Sequence, residues 1–144
     1  MVVLFVLAAA SPLSSQYTPA QISEVDHARH SLAVYLLRAI NTAEATHKMR
    51  YGSYLTWDLL LASEEFSAGR LMMRLVKYDP QLADAHFSNG ADILPGWSLR
   101  LNLIGNGEGY DVMLQDSTDK PCGYAAVTDE RGVIWQSKTI DCEI

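Results

Sequence analysis

Thr18 to Gly52 reads TPAQISEVDHARHSLAVYLLRAINTAEATHKMRYG, and this stretch decides the fold. Its opening is a helix start: Thr18 can cap the first free backbone N–H groups, Pro19 suits the first turn, and Gln21 can return a hydrogen bond to the cap. Behind it Val25, Leu32, Leu36, Ile40 and Ala43 recur at steps of three, four and seven, while Glu24, Arg29, Arg38 and Lys48 fall largely off that line. No Gly or Pro interrupts the run until Gly52, which suits a C-terminal stop. The pattern predicts one helix from Pro19 to Tyr51, about 50 Å long at ~1.5 Å per residue. An ordinary strand spans only about 20 Å, so a small sheet can cover just part of such a rod. Leu36, Leu37 and Ile40 mark the C-terminal half as the packed part. Ser23, Glu24, Asp26, His27, Arg29 and His30 make the other half polar, and it is expected to meet solvent or a partner.

Downstream, residues 53–95 read as a variable connecting segment. Thr56 is placed to cap a short helix through Trp57, Leu59, Leu60 and Leu61, and a second short helix is predicted from Ala68 to Tyr78, ended by Pro80, with a strand over Leu71 to Val76 as the alternative. From Trp97 the period changes to two. Trp97, Leu99, Leu101 and Leu103 alternate with Ser98, Arg100 and Asn102, as in a half-buried strand. Gly105 to Gly109 supplies a turn, Tyr110 to Gln115 a returning strand, and Asp116 to Pro121 a polar turn. Tyr124–Thr128 and Val133–Gln136 form a last hairpin around Asp129-Glu130-Arg131-Gly132. The expected fold is α+β: a long N-terminal helix packed on a four-stranded antiparallel C-terminal sheet over residues 96–144.

The length, 144 residues, suits one domain, here residues 17–144. Residues 1–16 read as a signal-peptide-like segment, since Val2 to Ala10 is wholly apolar, Ala8-Ala9-Ala10 fits a cleavage site, and Ser and Pro follow. The run is about half of the roughly 20 residues a membrane-crossing helix needs, so no stable membrane anchor is expected in this chain. Lys and Arg number 11 against 17 Asp and Glu, a formal net charge of -6, which argues against nucleic acid as a partner. Cys122 and Cys142 are the two cysteines, and in an exported chain such an even count reads as a disulfide. Closing that loop would remove unfolded-state entropy worth roughly 3 kcal/mol.

The order of these parts resembles the globular domains of type IV pilins and type II secretion pseudopilins. Arg38-Ala39-Ile40-Asn41-Thr42-Ala43-Glu44-Ala45-Thr46, followed by Tyr51-Gly52-Ser53-Tyr54, looks like the end of the pilin spine helix. Thr128-Asp129-Glu130-Arg131-Gly132-Val133-Ile134 looks like the final pilin hairpin, and Pro95-Gly96-Trp97 sits where the sheet would start. Filament pilins carry a prepilin peptidase site followed by a long apolar stretch with an early Glu, and the sequence shows neither. The resemblance implies a pilin-like fold released from the membrane, in the periplasm or secreted, that meets a protein partner, holds no cofactor and performs no catalysis.

Candidate chemistry is sparse. His27 and His30 lie three apart on the predicted helix with Asp26 beside them, but no third ligand is fixed by spacing. His47 sits where imidazolium would favour the helix macrodipole, and His86 has no interpretable context. Asp116 and Asp119 with nearby carbonyls offer hard oxygen ligands for calcium, as the corresponding loops of some major pseudopilins do, or else simply build the turn. Trp57, Trp97 and Trp135 are candidates for a ligand groove or for core filling. The sequence contains no G-x-S-x-G, no phosphate-cradling loop and no C-x-x-C. Besides the interaction protein, the sequence leaves a secreted small-ligand or calcium-binding module and a small secreted hydrolase as alternatives. The interaction reading expects an exposed apolar patch on the polar half of the helix or within Ser53 to Pro95, around Leu71, Met72 and Met73.

Overall fold

In the computed structural model, residues 19–120 and 122–138 are described, with side chains from Glu24 onward. The first 18 residues and the last six lie outside this range, so the signal-peptide-like segment and Cys142 have no structural account.

Helix α1 runs unbroken over Pro19–Tyr51, 33 residues, as the sequence pattern predicts. It stops where Gly52 takes a left-handed φ of 83°, its N–H bonded to the Lys48 carbonyl at 2.9 Å. Lys48 and Arg50 in the last turn favour the negative end of the helix dipole. Two short helices follow, α2 at Trp57–Ala62 and α3 at Ala68–Leu75. Thr56 occupies the N-cap of α2 but gives it no side-chain bond, because its hydroxyl is turned to Asp58. A 3-10 turn at Pro80–Leu82 is capped by Asp79, which accepts from the Gln81 N–H at 3.1 Å.

The sheet has five strands where the sequence led us to expect four. They are β1 (Asp92–Leu94), β2 (Trp97–Ile104), β3 (Gly109–Asp116), β4 (Ala125–Asp129) and β5 (Ile134–Ser137), paired antiparallel in chain order. Thus β1 lies inside what the sequence presented as connecting segment, and Pro95-Gly96 is the turn of the first hairpin rather than the start of the sheet. With three residues, a register irregularity and two consecutive buried side chains, β1 has no alternation to reveal it. In the β2–β3 ladder Trp97 stands opposite Asp116, Leu99 opposite Leu114 and Leu101 opposite Val112, so these pairs share one face.

On that face Trp97, Leu99, Tyr110, Val112, Leu114 and Ala126 are buried beneath α1. From the helix come Leu32, Ala33, Leu36, Leu37, Ile40 and Ala43, all at most 2% exposed. Adjacent positions such as Leu36 and Leu37 point about 100° apart, so the buried arc is wider than one stripe. The extra cover comes from α3, which also packs on α1. A satellite cluster supports it: Trp57, Phe66 and Phe87 meet edge-on with ring centroids 5.3–5.9 Å apart, and the Trp57 indole N–H donates to the Ser88 carbonyl at 2.8 Å.

Candidate functional site at the seam between helix and sheet

The first part of α1 departs from the expected division into polar and packed halves. Val25, counted in the apolar line, is 62% exposed, while Arg29 and His30, assigned to the polar half, are docked. The Arg29 guanidinium grips Asp116 at the end of β3 in a two-pronged pair, Nη2 reaching Oδ1 at 2.8 Å and Nε reaching Oδ2. Its other bonds go to Asp79 at 3.3 Å and to the Gly96 carbonyl at 3.2 Å, and its Cζ lies 4.7 Å from the Trp97 ring centroid. One side chain therefore joins α1, the 3-10 turn, the β1–β2 turn and the end of β3. Asp116 also accepts from the Thr118 N–H at 2.9 Å and hydroxyl at 2.6 Å. Burial alone would raise the Asp116 pKa, but the hydrogen bonds from Arg29 and Thr118 outweigh it and hold the carboxyl below its usual range.

Next along α1, His30 is 8% exposed and stacks on Tyr124 at 3.9 Å with 16° between the planes. Burial, then the nearby Lys138 charge, lowers its pKa and favours neutral imidazole. The Tyr124 hydroxyl donates to Gln136 at 2.7 Å, and burial pushes its own pKa up. Lys138 is itself enclosed, 3.7 Å from Asp26 and 3.9 Å from Asp119. His27 is exposed and lines the same open depression as His30, together with Arg38 and Gln136. Among the described residues no group of three or more His, Cys, Asp or Glu is placed to hold a metal ion.

The two calcium candidates serve different donors. Asp116 is engaged by Arg29 and Thr118, whereas Asp119 accepts from the backbone N–H of Cys122 at 3.2 Å and of Tyr124 at 3.1 Å. Asp119 thus shapes the turn carrying Cys122, whose expected partner Cys142 lies outside the described residues. The three tryptophans are dispersed: Trp57 in the satellite cluster, Trp97 under Arg29, and Trp135, 44% exposed, on β5.

Sequence reasoning also missed a polar group further along the helix. Glu44 is fully buried; one carboxylate oxygen accepts from the Leu55 N–H at 2.9 Å, and the other has no partner. Burial pushes its pKa up to about 7. A signal existed, because Leu36, Ile40 and Glu44 share the four-residue step of the buried line. One turn away Asn41 accepts from the Tyr110 hydroxyl at 2.7 Å and donates to the Thr128 hydroxyl at 2.8 Å, fixing α1 in register over β3 and β4. His47 is half-buried with an unpartnered Nδ1, leaning on Tyr51, and His86 is exposed.

The expected apolar patch is partly realised. Leu71 and Met72 are 5% and 9% exposed, but Met73 is 69% exposed beside a groove of about 440 Å³ lined by Leu61, Met72, Met73, Val76 and Phe87. No helix among the described residues is long and apolar enough to cross a membrane. No protein-family model matches this chain, and no curated protein or solved structure is similar enough to count as a match.

Proposed function

We propose that this chain is an exported, pilin-like interaction protein of the bacterial envelope or exterior, related to components of type IV pili or type II secretion systems and without catalytic activity. The observation that carries the reading is the unbroken 33-residue α1, clamped from Arg29 onward onto an antiparallel meander while Glu24 and Val25 stay exposed. Such a helix presents its leading end for contact. The seam supports the same reading, because its polar groups bind one another: Arg29 to Asp79 and Asp116, Lys138 to Asp26 and Asp119. They work as fasteners that position surfaces. The proposal includes cleavage within residues 1–16 and a Cys122–Cys142 bridge.

Two surfaces are offered to a protein partner, the leading end of α1 at Val25 and the apolar groove beside Met73. The test is to express the tagged chain in its own cell, locate it by fractionation, and place photo-cross-linking side chains at both positions. An extracytoplasmic location with adducts to pilus or secretion components, lost in Val25→Glu or Met73→Glu variants, is the expected result. A chain retained in the cytoplasm, or adducts indifferent to both charges, overturns the proposal.

A further inference from the structure

A second groove opens on the face of α1 that α3 covers, and its chemistry differs from that of the Met73 groove. It encloses about 350 Å³, within the range of roughly 300–1,000 Å³ typical of small-ligand sites. One wall is an α1 stripe carrying Tyr35 and Arg38; the other is an α3 stripe carrying Arg70, Leu71 and Arg74, with Phe66 just before it. Arg70 and Arg74 are four apart on α3 and therefore share a helix face. Leu71 and Phe66 are 5% and 4% exposed and supply apolar surface beneath the charges.

Three guanidinium groups thus border one depression in a chain whose net charge is -6. Among the described residues the Arg74 guanidinium is bonded only to the neutral Tyr35 hydroxyl, at 3.1 Å. Arg38 and Arg70 are exposed, and their guanidinium groups have neither hydrogen-bond nor ion-pair partner among the described residues. Glu65, the single carboxylate on the wall, is already paired with Arg50 at 3.2 Å. The positive charge of the groove is therefore not cancelled locally. Guanidinium is a planar fork that matches carboxylate and phosphate oxygens, and it is less strongly hydrated than ammonium, so it suits a site that is partly apolar.

We propose that this groove binds a small amphipathic organic anion, a carboxylate or phosphate ester carrying a short aliphatic or aromatic body. The anionic head would sit between Arg38 and Arg70, and the body would lie on Leu71 and Phe66. The limited volume between two helices favours a free small molecule over a bilayer surface.

Calorimetric titration of the full chain with octanoate, octyl phosphate, octanol and inorganic phosphate tests this. The two amphipathic anions should bind at least tenfold more tightly than either octanol or inorganic phosphate. An Arg38→Gln/Arg70→Gln double variant should lose at least tenfold in affinity for octyl phosphate while keeping its melting temperature, since neither side chain has a partner to lose. Backbone amide shifts on binding should centre on residues 35–42 and 66–74. Octanol binding as tightly as octyl phosphate, inorganic phosphate binding as tightly, unchanged affinity in the double variant, or binding seen only with anionic phospholipid vesicles would each overturn the assignment.

Discussion

Glu44 sits where the helix, the β3 side of the sheet and the Leu55 backbone close over it, with no solvent contact and one carboxylate oxygen unpartnered. A pKa pushed up to about 7 means that the folded protein holds this proton more tightly than the unfolded chain does. The stability contributed by protonated Glu44 is fully present below the unfolded carboxyl pKa, roughly 4.3, and is lost as pH rises through about 7. His30 titrates in the opposite sense: its pKa is lowered, so its stabilising contribution is present above the unfolded histidine value and lost as pH falls. A whole-protein pH curve mixes the two, and a Glu44→Gln variant separates them. Denaturant melts from pH 4 to pH 8 should show the variant gaining on the parent across that interval, by about 2–3 kcal/mol at the upper end. A constant difference would mean that the carboxyl titrates in the folded protein as it does in the unfolded chain.

At the scale of elements, the β2–β3 turn is held against the end of α1. The Gly107 carbonyl accepts from the Tyr54 N–H at 3.0 Å and from Lys48 Nζ at 3.3 Å. Gly107 has φ 88°, and a Cβ there would lie 3.3 Å from both Ser53 Cβ and the Tyr54 carbonyl. Gly52 has a similar φ of 83° but open space around it. Gly107→Ala should therefore cost about 2 kcal/mol, combining conformational strain with crowding, and Gly52→Ala only about 1 kcal/mol. Urea melts of the two variants measure the gap, and equal losses would show that the turn is not seated as described. The same scale explains what the sequence made legible. Helix α1 was readable at its C-terminal end because Gly52 supplies a local stop, and β2 because Trp97 to Leu103 alternates. The three residues of β1 acquire their strand character only from pairing with β2, which no local pattern carries. Arg29 was unreadable for a related reason: its partner Asp116 lies 87 residues away, and a polar residue off the apolar line otherwise looks solvated. Val25 misled in the opposite direction, since it continues the seven-residue step past the point where packing ends.

For the whole molecule, Arg29 is the place where distant parts are held together. Arg29→Ala would leave Asp116, 4% exposed, without its main counter-charge, and should cost about 3 kcal/mol. In an Asp116→Ala background the same change should cost far less, and thermal melts of the four-member cycle check this; additive losses would contradict the clamp. The neighbour-to-neighbour order of the strands has a temporal consequence. During synthesis the rod leaves the ribosome before any of the strands that will bury it, so its oily flank must wait, uncovered, until β3 and β4 are available. Nascent chains stalled before residue 116 should therefore attract chaperones along Leu32 to Ala43, and release from that escort should coincide with the arrival of the strand bearing the arginine's carboxylate.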